Sequence, residues 1–512
     1  MEQNCFDLPP KIYHVIERLE QAGYPCYVVG GAVRDWLAGR IPHDYDLCTA
    51  ALPQQTELLF HDVPVIETGM KHGTVSILID GETIEVTTFR TEGAYSDGRH
   101  PDHVAFVTEI EQDLARRDFT INAMAWSPIH GLCDPFGGQQ DLQHGVLRCV
   151  GDADIRLQED ALRILRALRF YAQRGYTIES DTANALHRNK QGLSHVSAER
   201  ITAEFLQMIC GPYIGKVMME YSDIITQILP EIAPMIGFEQ HNPYHKYDVW
   251  EHSVRALESI RPDPVLRLTM LFHDCGKPHV YFMDDNGIGH FYGHPKVSAQ
   301  VAEKAVKHLR LPVQMEQQVL YLVRHHDAPL GMEIKHVRRK LAVHGEQTFR
   351  ALIAVKKADS VGQGTTPKDL TDLLHLEQVL EDVLQQDNCL TRKDLAINGY
   401  DLMQWGAQGK EIGFYLSAML NRVLDDPSCN TKEMLYDMFH CLQGERNSIG
   451  MTVNGMSARC CVREVNQILS QITGVTRIEI SLDSGYVVVY GTNLSLQCIR
   501  ENLITAGYEV LI

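Results

Sequence analysis

The spacing of apolar residues changes along the chain and predicts two kinds of structure. Between residues 26 and 150, short β-branched runs such as Val75-Ser76-Ile77-Leu78-Ile79 alternate with glycine-rich turns, which is typical of a mixed sheet with helices. From Asp154 to about Leu442, apolar residues recur at helical spacing and strand-like runs are few. The pattern therefore predicts a multidomain α+β protein with a mixed-sheet N-terminal region and a largely α-helical middle.

Residues 450–512 return to short strands. Val475–Ser481 and Tyr486–Tyr490 are the clearest strands, and Ser495–Thr505 has the pattern of an amphipathic helix. The region as a whole predicts strand, helix, strand, strand, helix, strand. This is a ferredoxin-like βαββαβ order.

Breaks in the pattern divide the chain into five predicted regions. The helical spacing stops at His241-Asn242-Pro243-Tyr244 and again near Gly362-Gln363-Gly364, and histidines are dense between positions 241 and 345. We expect a mixed-sheet head at 1–150, a helical neck at 151–240, a histidine-rich domain at 241–366, a helical tail at 367–445 and a C-terminal domain at 450–512.

The composition disfavours several classes of function. With 47 Lys or Arg against 66 Asp or Glu, the net charge of −19 argues against nucleic-acid binding through overall charge, so any such site must be local. No run of about 18 apolar residues occurs, and the first residues lack a basic segment before an apolar one, which disfavours membrane spanning and secretion. The 13 scattered cysteines indicate reduced thiols, and we expect a cytoplasmic protein.

Glycines and carboxylates in the head predict a site for phosphate and metal. Gly30 and Gly31 follow a predicted strand where a helix begins, so backbone N–H groups can approach a triphosphate there. Asp44 and Asp46 are two residues apart, which on a strand directs both carboxylates to one face. Such a pair can hold one or two Mg²⁺ ions for nucleotidyl transfer. Glu85, on another predicted strand, is a candidate third carboxylate.

These residues belong to a series of motifs that follow one another in order. The motifs are Gly30-Gly31-Ala32-Val33-Arg34-Asp35, Asp44-Tyr45-Asp46, Arg116-Arg117-Asp118-Phe119-Thr120-Ile121-Asn122-Ala123-Met124, Asp134-Pro135-Phe136-Gly137-Gly138 and Glu159-Asp160-x-x-Arg163-x-x-Arg166-x-x-Arg169-Phe170. Together they resemble the motifs of the class II tRNA nucleotidyltransferases, the CCA-adding enzymes. The resemblance implies an Mg²⁺-dependent enzyme that adds CCA to the 3′ end of tRNA from CTP and ATP and releases pyrophosphate. It also implies that Arg34 and Arg117 contact the nucleotide.

Asp160 and Arg163 are candidates for nucleotide selection. They stand three positions apart on a predicted helix, where they can face one base edge together. Cytosine and adenine both offer an amino donor beside a ring acceptor, whereas uracil and guanine present the opposite polarity. An aspartate acceptor beside an arginine donor can therefore accept CTP and ATP and reject UTP and GTP. Arg166 and Arg169 continue the stripe toward the triphosphate.

A polar, glycine-containing segment at residues 88–101 has the character of a mobile loop. In the resembled family, a flexible loop at this place is needed to add the terminal A, which favours full CCA addition. Two alternatives stay open from the sequence, an enzyme that adds only A and a poly(A) polymerase, because bacterial poly(A) polymerases share the first motifs.

The histidine-rich domain contains a second set of candidate metal ligands. The four core candidates are His252, His273, Asp274 and Asp359. Two extra candidates are His294 and His325. Imidazole and carboxylate together suit a divalent transition metal. The core set resembles the HD phosphohydrolase superfamily, and the extra histidines match its binuclear members, which implies metal-activated attack of water on a phosphate ester. In a further alternative, this hydrolase is the main activity and the head only docks RNA.

The tail and the C-terminal domain carry weaker signals. Residues 390–413 resemble the tRNA-binding tail of the CCA-adding enzymes, although a plain helical hairpin fits them equally well. The C-terminal domain resembles heavy-metal-associated domains, which bind Cu(I) through a C-x-x-C loop. Here Ala458 stands at the first cysteine position and Cys461, next to Cys460, at the second. We expect a module without high-affinity metal, for interaction with an unidentified partner or for oligomerisation, rather than a metal-trafficking protein.

Overall fold

The chain folds into two compact units, which span Met1–Pro230 and Glu231–Ile512. The structure is a computed structural model that describes residues 6–66, 69–70, 73–93, 104–364, 370–386, 389–444, 448–491 and 494–511 of the 512. No helix in these ranges is both long enough and apolar enough to cross a membrane. The cysteines within the same ranges are free thiols.

The head of the first unit is built on a mixed sheet. Its strands are β1 (Cys26–Val29), β2 (Asp46–Thr49), β3 (Val65–Ile66), β4 (Thr74–Ile79), β5 (Glu82–Thr88), β6 (Arg90–Glu92), β7 (Val104–Phe106), β8 (Ala125–Ser127) and β9 (Gly131–Cys133). Its helices are α1 (Pro10–Gln21), α2 (Gly31–Leu37), α3 (Pro53–Leu59), α4 (Ile110–Ala115) and α5 (Gly138–His144). The main sheet has the order β3-β4-β5-β2-β1-β8-β9, while β6 and β7 form a separate antiparallel pair. Only β2 and β5 run parallel among the paired strands of the main sheet, so the predicted mixed sheet is confirmed.

The two faces of this sheet are buried in separate hydrophobic cores. Val28, Leu47 and Val86 belong to one core, and Val29 and Cys48 belong to the other. Successive residues of a strand point to opposite faces, so the β-branched runs of the head supply both cores at once. The ends of the strands are thereby held firmly where the charged residues of the head lie.

The rest of the first unit is mostly helical, as the spacing predicts. Its helices are α6 (Ala153–Glu159), α7 (Leu162–Arg174), α8 (Ser180–Asn189), α9 (Ala198–Ile209), α10 (Ile214–Glu220) and α11 (Ser222–Ile228). One short parallel pair accompanies them, β10 (Val146–Leu147) with β11 (Thr177–Ile178). Helix α7 buries leucines such as Leu165 and Leu168 and ends at Gly175, whose φ of 70° favours glycine.

The second unit begins with a helical body. Its helices are α12 (Val249–Ser259), α13 (Pro264–Phe272), α14 (Lys277–Val280), α15 (His294–His308), α16 (Val313–His325), α17 (Ile334–Gly362), α18 (Leu370–Leu384), α19 (Gly399–Gln404), α20 (Glu411–Asp425) and α21 (Lys432–Gly444). A small hairpin joins β12 (Phe282–Met283) to β13 (Gly289–His290). Helix α13 is buried from Leu266 to Phe272, and α17 is interrupted at Gly345, where φ is 72° and ψ is 162°.

The C-terminal part of the second unit is a four-stranded antiparallel sheet with two helices. Its elements are β14 (Ser448–Asn454), α22 (Arg459–Ser470), β15 (Val475–Ser481), β16 (Tyr486–Gly491), α23 (Leu496–Thr505) and β17 (Glu509–Leu511), and its strand order is β15-β16-β14-β17. The sheet packs against the helical body: Lys296 Nζ donates a hydrogen bond to the Ala506 carbonyl oxygen at 3.0 Å, and the Arg339 guanidinium lies 4.4 Å from the centre of the Tyr486 ring.

Candidate functional site

The glycine pair of the head forms a turn that few other residues could make. Gly30, between β1 and α2, has φ of 66° and ψ of −122°, a backbone conformation that disfavours residues with a Cβ atom. A Cβ atom there would also lie 3.0 Å from Nη1 of Arg117. Glycine is therefore needed at position 30 both for the turn and for the approach of the Arg117 side chain.

This turn borders a cavity of about 460 Å³ between the head and the first helices of the neck. The residues that line the cavity are Gly30, Gly31, Arg34, Asp46, Arg116, Arg117, Asp118, Asn122, Asp160, Leu162, Arg163, Arg166, Arg169, Phe170 and Arg200. They include seven arginines against three aspartates, so the cavity is locally positive in a chain of net charge −19. Such a local surplus is what the binding of a triphosphate or a nucleic-acid backbone requires.

Asp46 lies in the cavity wall at the first position of β2, where it pairs in register with Val29 of β1. Asp46 is exposed, but partial desolvation raises the pKa of its carboxyl group, the nearby Arg117 charge lowers it, and the Asp44 charge raises it again, with a net increase. Asp44 is exposed and precedes β2, so the two aspartates do not share a strand as the spacing suggested. The Asp44 charge still contributes to the raised pKa of Asp46.

Glu85 lies on β5, the parallel neighbour of β2. Leu47 and Val86 are paired in register, so the residues before them, Asp46 and Glu85, project from the same face of the sheet. Glu85 is exposed, and neither it nor Asp44 lines the cavity. In the described part of the head, no three His, Cys, Asp or Glu ligand atoms come within 4.8 Å of one another.

The donor set of the head nevertheless suits Mg²⁺. Carboxylate oxygens are the ligands this hard cation prefers, and it usually takes only one or two of them, completing its shell with phosphate oxygens and water. A cation beside Asp46 and Asp44 would also relieve the repulsion that raises the pKa of Asp46.

The arrangement of Asp160 and Arg163 differs from the expected helical pair. Asp160 is in an extended conformation between α6 and α7, with φ of −146°, so the two residues do not occupy one helix face. The Asp160 carboxylate instead pairs with Arg200 of α9, at 2.8 Å between Oδ2 and Nη2. Arg163 donates to Glu159 Oε2 at 2.6 Å. Both side chains still line the cavity, but each is held by a different partner.

The remaining predicted arginines are also held by specific neighbours. Arg34 Nη1 donates to the Asn122 side-chain oxygen at 2.7 Å, and its guanidinium lies 5.2 Å from the Phe170 ring centre. Arg169 Nε donates to Glu204 Oε2 at 2.5 Å. These contacts hold the arginines in place in the cavity wall.

Arg166 forms an ion pair with Asp118, at 2.7 Å between Nη2 and Oδ2. Burial alone would raise the pKa of Asp118. The Arg166 charge and hydrogen bonds from the Asn122 side chain and the Phe119 backbone outweigh burial and lower that pKa to about 2. Asp118 therefore stays ionised and holds Arg166 in the cavity wall by the ion pair.

Several residues of the cavity were not assigned a role from the sequence. Asp118, Asn122 and Arg116 lie inside a motif that was identified as a unit, so the motif itself was the signal for them. Arg200 lies 40 positions after its partner Asp160, and no local spacing connects the two residues.

In the second unit, four of the predicted ligands converge. Nε2 of His252 lies 3.1 Å from Asp274 Oδ2, 3.1 Å from Asp359 Oδ1 and 3.1 Å from His273 Nε2. All four ligand atoms lie within 4.8 Å of one another, which is the spacing of a metal coordination shell. His252, His273 and Asp274 are almost completely buried.

A second group shares Asp274 and corrects one prediction. Asp274 Oδ1 lies 3.3 Å from His294 Nε2 and 3.7 Å from His326 Nε2. His325, the residue predicted from the sequence, is not part of this group: its Nδ1 is 2.8 Å from the Tyr321 carbonyl oxygen and its Nε2 is buried without a partner in the described residues. His326, one position later, takes the predicted place because adjacent residues of a helix point in directions about 100° apart.

The backbone hydrogen bonds of the histidines show that the two groups suit cations. His273, His294 and His326 place Nδ1 within 3.0 Å of backbone carbonyl oxygens, so Nδ1 is a donor and, in the neutral imidazole, Nε2 keeps its lone pair. Nε2 of His294 and Nε2 of His326 then face each other at 3.1 Å. Two such lone pairs repel each other unless a proton or a metal ion lies beside both, so the donor set fits a divalent transition metal.

The C-terminal sheet shows no comparable group. Cys461 is buried, and its sulfur lies 3.9 Å from Ser457 Oγ, whereas Cys460 is exposed. Within residues 448–491 and 494–511, no three potential ligand atoms come within 4.8 Å of one another.

Three models of protein families match the chain. The head matches the poly A polymerase head domain over residues 26–148. The neck matches the probable RNA and SrmB-binding site of polymerase A over residues 175–236, and part of the second unit matches a putative tRNA nucleotidyltransferase domain 2 over residues 291–439. The class of protein to which the chain is similar is thus the one built on a poly A polymerase head domain.

Within that class, the chain is similar to CCA-adding enzymes. It is 44% identical over 228 residues to the CCA-adding enzyme of Lactobacillus helveticus, covering 44% of this chain and 56% of the relative. It is 47% identical over 231 residues to that of Leuconostoc mesenteroides, covering 45% and 56%. The chain therefore spans little more than half the length of these curated relatives.

Solved structures are similar over a larger share of the chain. The CCA-adding enzyme of Bacillus stearothermophilus in complex with CTP superposes with a TM-score of 0.63 at 28% identity, covering 86% of this chain and 99% of that one. The Thermotoga maritima enzyme complexed with tRNA shares the fold, with a TM-score of 0.52 at 21% identity over 85% and 96% of the two chains. These comparisons support the resemblance to class II CCA-adding enzymes that the motifs indicated.

Proposed function

We propose that the chain adds C, C and A to the 3′ end of tRNA, using CTP and ATP and releasing pyrophosphate. The observation that carries this proposal is the positive cavity that unites Asp46 with seven arginines and Asp160. Gly30, Arg34 and Asp46 of this cavity lie in the segment that matches the poly A polymerase head domain, residues 26–148.

The arginines of the cavity are suited to hold the triphosphate. A triphosphate carries several negative charges, and guanidinium groups bind phosphate oxygens with two hydrogen bonds at once. Arg34, Arg117, Arg166 and Arg169 are already oriented by neighbours, so little side-chain entropy is lost when phosphate binds. Mg²⁺, held by Asp44 and Asp46, would supply activation of the tRNA 3′-hydroxyl and neutralisation of the leaving pyrophosphate. Glu85 stays a candidate third carboxylate.

Asp160 and Arg163 are suited to select the base, although each is held by a different neighbour. Arg163 uses N–H groups of Nη1 and Nη2 to bind Glu159 and two backbone carbonyl oxygens. Among the described residues, this leaves Nε–H and one Nη2–H as a free donor edge. That edge can donate to the ring acceptors of cytosine or adenine while the Asp160 carboxylate accepts from the amino group. Uracil and guanine would place a carbonyl against the carboxylate and leave both groups unpaired.

The experiment that tests this function uses three tRNA transcripts that end at the discriminator base, at C and at CC. Each is incubated with the purified chain, Mg²⁺ and each nucleoside triphosphate, singly and together, and the products are sized to one nucleotide. We expect stepwise addition of C, C and A that stops at A, with UTP and GTP refused. Extension of the CC-ended transcript alone would indicate an A-adding enzyme. Long A tails would indicate a poly(A) polymerase.

The buried histidine groups favour a second activity, metal-dependent hydrolysis of phosphate esters of the HD type. Two ligand groups that share Asp274 are the arrangement a binuclear site needs. Cyclic or terminal phosphates at damaged tRNA ends are the substrates that would fit an enzyme acting on the same RNA end. The test is hydrolysis of 2′,3′-cyclic nucleotides by chain loaded with Mn²⁺, Co²⁺ or Ni²⁺. Absence of hydrolysis with every metal would contradict it.

The C-terminal sheet supports a ferredoxin-like, heavy-metal-associated type of domain without a high-affinity metal site. Its βαββαβ order and its strand order β15-β16-β14-β17 agree with that fold. Ala458 removes one thiolate of the C-x-x-C pair, and Cys461 is buried. We therefore expect Cu(I) titration to give no stoichiometric complex, and a complex that Cys461→Ser abolishes would revive metal binding. An interaction or oligomerisation role remains the proposal for this domain.

A further inference from the structure

The carboxylate of Asp160 is held by Arg200, a residue outside the motif that contains Asp160. Both of its oxygens accept hydrogen bonds from Arg200, Oδ1 from Nη1 at 3.3 Å and Oδ2 from Nη2 at 2.8 Å. Oδ1 also accepts from the Leu162 backbone N–H at 3.1 Å. The Arg200 side chain retains 25% exposure and that of Asp160 only 16%, so the ion pair is largely shielded from water. Such a two-point contact fixes the plane of the carboxylate as well as its position.

The geometry leaves Asp160 able to accept a further hydrogen bond. An ionised carboxylate has about four acceptor positions, and Arg200 and Leu162 use three of them. The remaining position can accept an amino N–H. It cannot pair with a carbonyl oxygen, because an ionised carboxylate has no proton to donate.

We propose that Arg200 is a specificity-determining positioning residue, which holds the Asp160 carboxylate in the orientation that accepts the amino group of cytosine or adenine. This inference rests on the proposed CCA-adding function and deepens it. Arg200 itself belongs to α9, a helix that packs along α7, and it lines the cavity beside the two selecting residues.

Loss of Arg200 has a specific consequence for selection. Asp160 lies three positions before Arg163, whose Nε–H edge has no hydrogen-bond partner among the described residues. A carboxylate released by Arg200 could turn toward that edge and occupy it. The acceptor for the amino group and the donors for the ring acceptors would then be lost together, while the groups that hold the triphosphate would be unchanged.

The test compares Arg200→Ala, Arg200→Lys and Arg188→Ala. Arg188 is a matched control, because it forms a comparable two-point ion pair with Asp154 on the exposed surface of the same neck region. The kcat/KM for CTP and for UTP is measured separately on a transcript that ends at the discriminator base. Thermal melting of each variant reports folding, and CTP and UTP binding without tRNA gives a second readout.

For Arg200→Ala we expect kcat/KM for CTP to fall about 10- to 100-fold and the CTP-to-UTP ratio to fall by at least about 10-fold. Arg200→Lys, which retains a charge without the two-point geometry, should fall between wild type and Ala. Arg188→Ala should match wild type. An equal loss for CTP and UTP, with the ratio unchanged, would overturn the inference and leave Arg200 a structural residue. If the wild-type chain adds no nucleotide, the proposed function is contradicted. In that case, the inference is rejected separately if Arg200→Ala binds CTP over UTP with the same preference as wild type.

Discussion

The cavity of the head and neck differs from the histidine groups of the second unit in how each binds charge. The cavity gathers arginines from a span of 167 sequence positions, Arg34 to Arg200, around a volume of about 460 Å³. The histidine groups bury most of their ligands, with Nε2 and carboxylate oxygens 3.1–3.7 Å apart. The first arrangement is built to recognise a large anion, whereas the second is built to hold a small cation. The two arrangements lie in separate compact units of one chain.

The largest effect that would sharpen this contrast is expected from Asp46→Asn. The substitution removes one carboxylate oxygen charge at the place where Mg²⁺ is proposed to bind, so we expect addition of C to fall by at least about 100- to 1,000-fold. The metal content of the histidine groups, measured by elemental analysis, should not change. Asp62→Asn, at an exposed aspartate of the same head, serves as the control and should leave addition unchanged. Retained C addition by Asp46→Asn would break the assignment of the catalytic site.

The corresponding change in the histidine groups is His273→Ala. The variant removes a ligand from the buried group that includes Asp359, so we expect loss of bound transition metal and of any cyclic-nucleotide hydrolysis, with C addition within about twofold of wild type. His308→Ala, an exposed histidine at the end of α15, is the control. Loss of C addition in His273→Ala, with folding intact by thermal melting, would show that the two sites depend on each other.

A smaller effect should separate two adjacent histidines. His326→Ala removes a ligand from the group shared with Asp274 and His294, so we expect the metal content to fall from two ions per chain to one. His325→Ala should leave two ions bound, because His325 lies outside that group. The opposite result for the two variants would restore the sequence-based assignment of His325.

The smallest expected effect concerns how the free energy of unfolding changes at acid pH. The pKa of Asp118 is about 2 in the folded chain, below its usual value of 3.8, so its ion pair with Arg166 stabilises the folded state above about pH 4 and this stabilisation is lost as the pH falls toward 2. The contribution is roughly 2 to 3 kcal/mol at neutral pH. In urea unfolding, the stability difference between wild type and Asp118→Asn should therefore shrink between pH 5 and about pH 3. A difference that does not change with pH, or a matching trend in the exposed control Asp181→Asn, would contradict this account.

Local patterns predicted the parts of the structure that local forces determine. Alternating β-branched residues gave the mixed sheet of the head, and the strand predicted at Val475–Ser481 has those bounds in the structure. His252, His273, Asp274 and Asp359 converge although Asp359 follows the others by more than 80 positions, and here the resemblance to a ligand set, rather than spacing, was the source of the prediction.

The sequence did not predict which partners the selecting residues would take. The helical spacing of Asp160 and Arg163 suggested a pair, but α7 begins only at Leu162 and Asp160 is extended. Arg200 comes from a different helix, and the packing of α9 on α7, which no local pattern encodes, brings it to Asp160. In the same way, the choice between His325 and His326 depends on the rotation of α16 about its axis, since both residues are buried.

The most direct test of the central claim is the length of product formed on the discriminator-ended transcript with CTP and ATP supplied together. The cavity assignment predicts one discrete product, three nucleotides longer than the transcript, ending in A, and no product with UTP and GTP. A transcript that stays unextended, or that accepts UTP as readily as CTP, would contradict it.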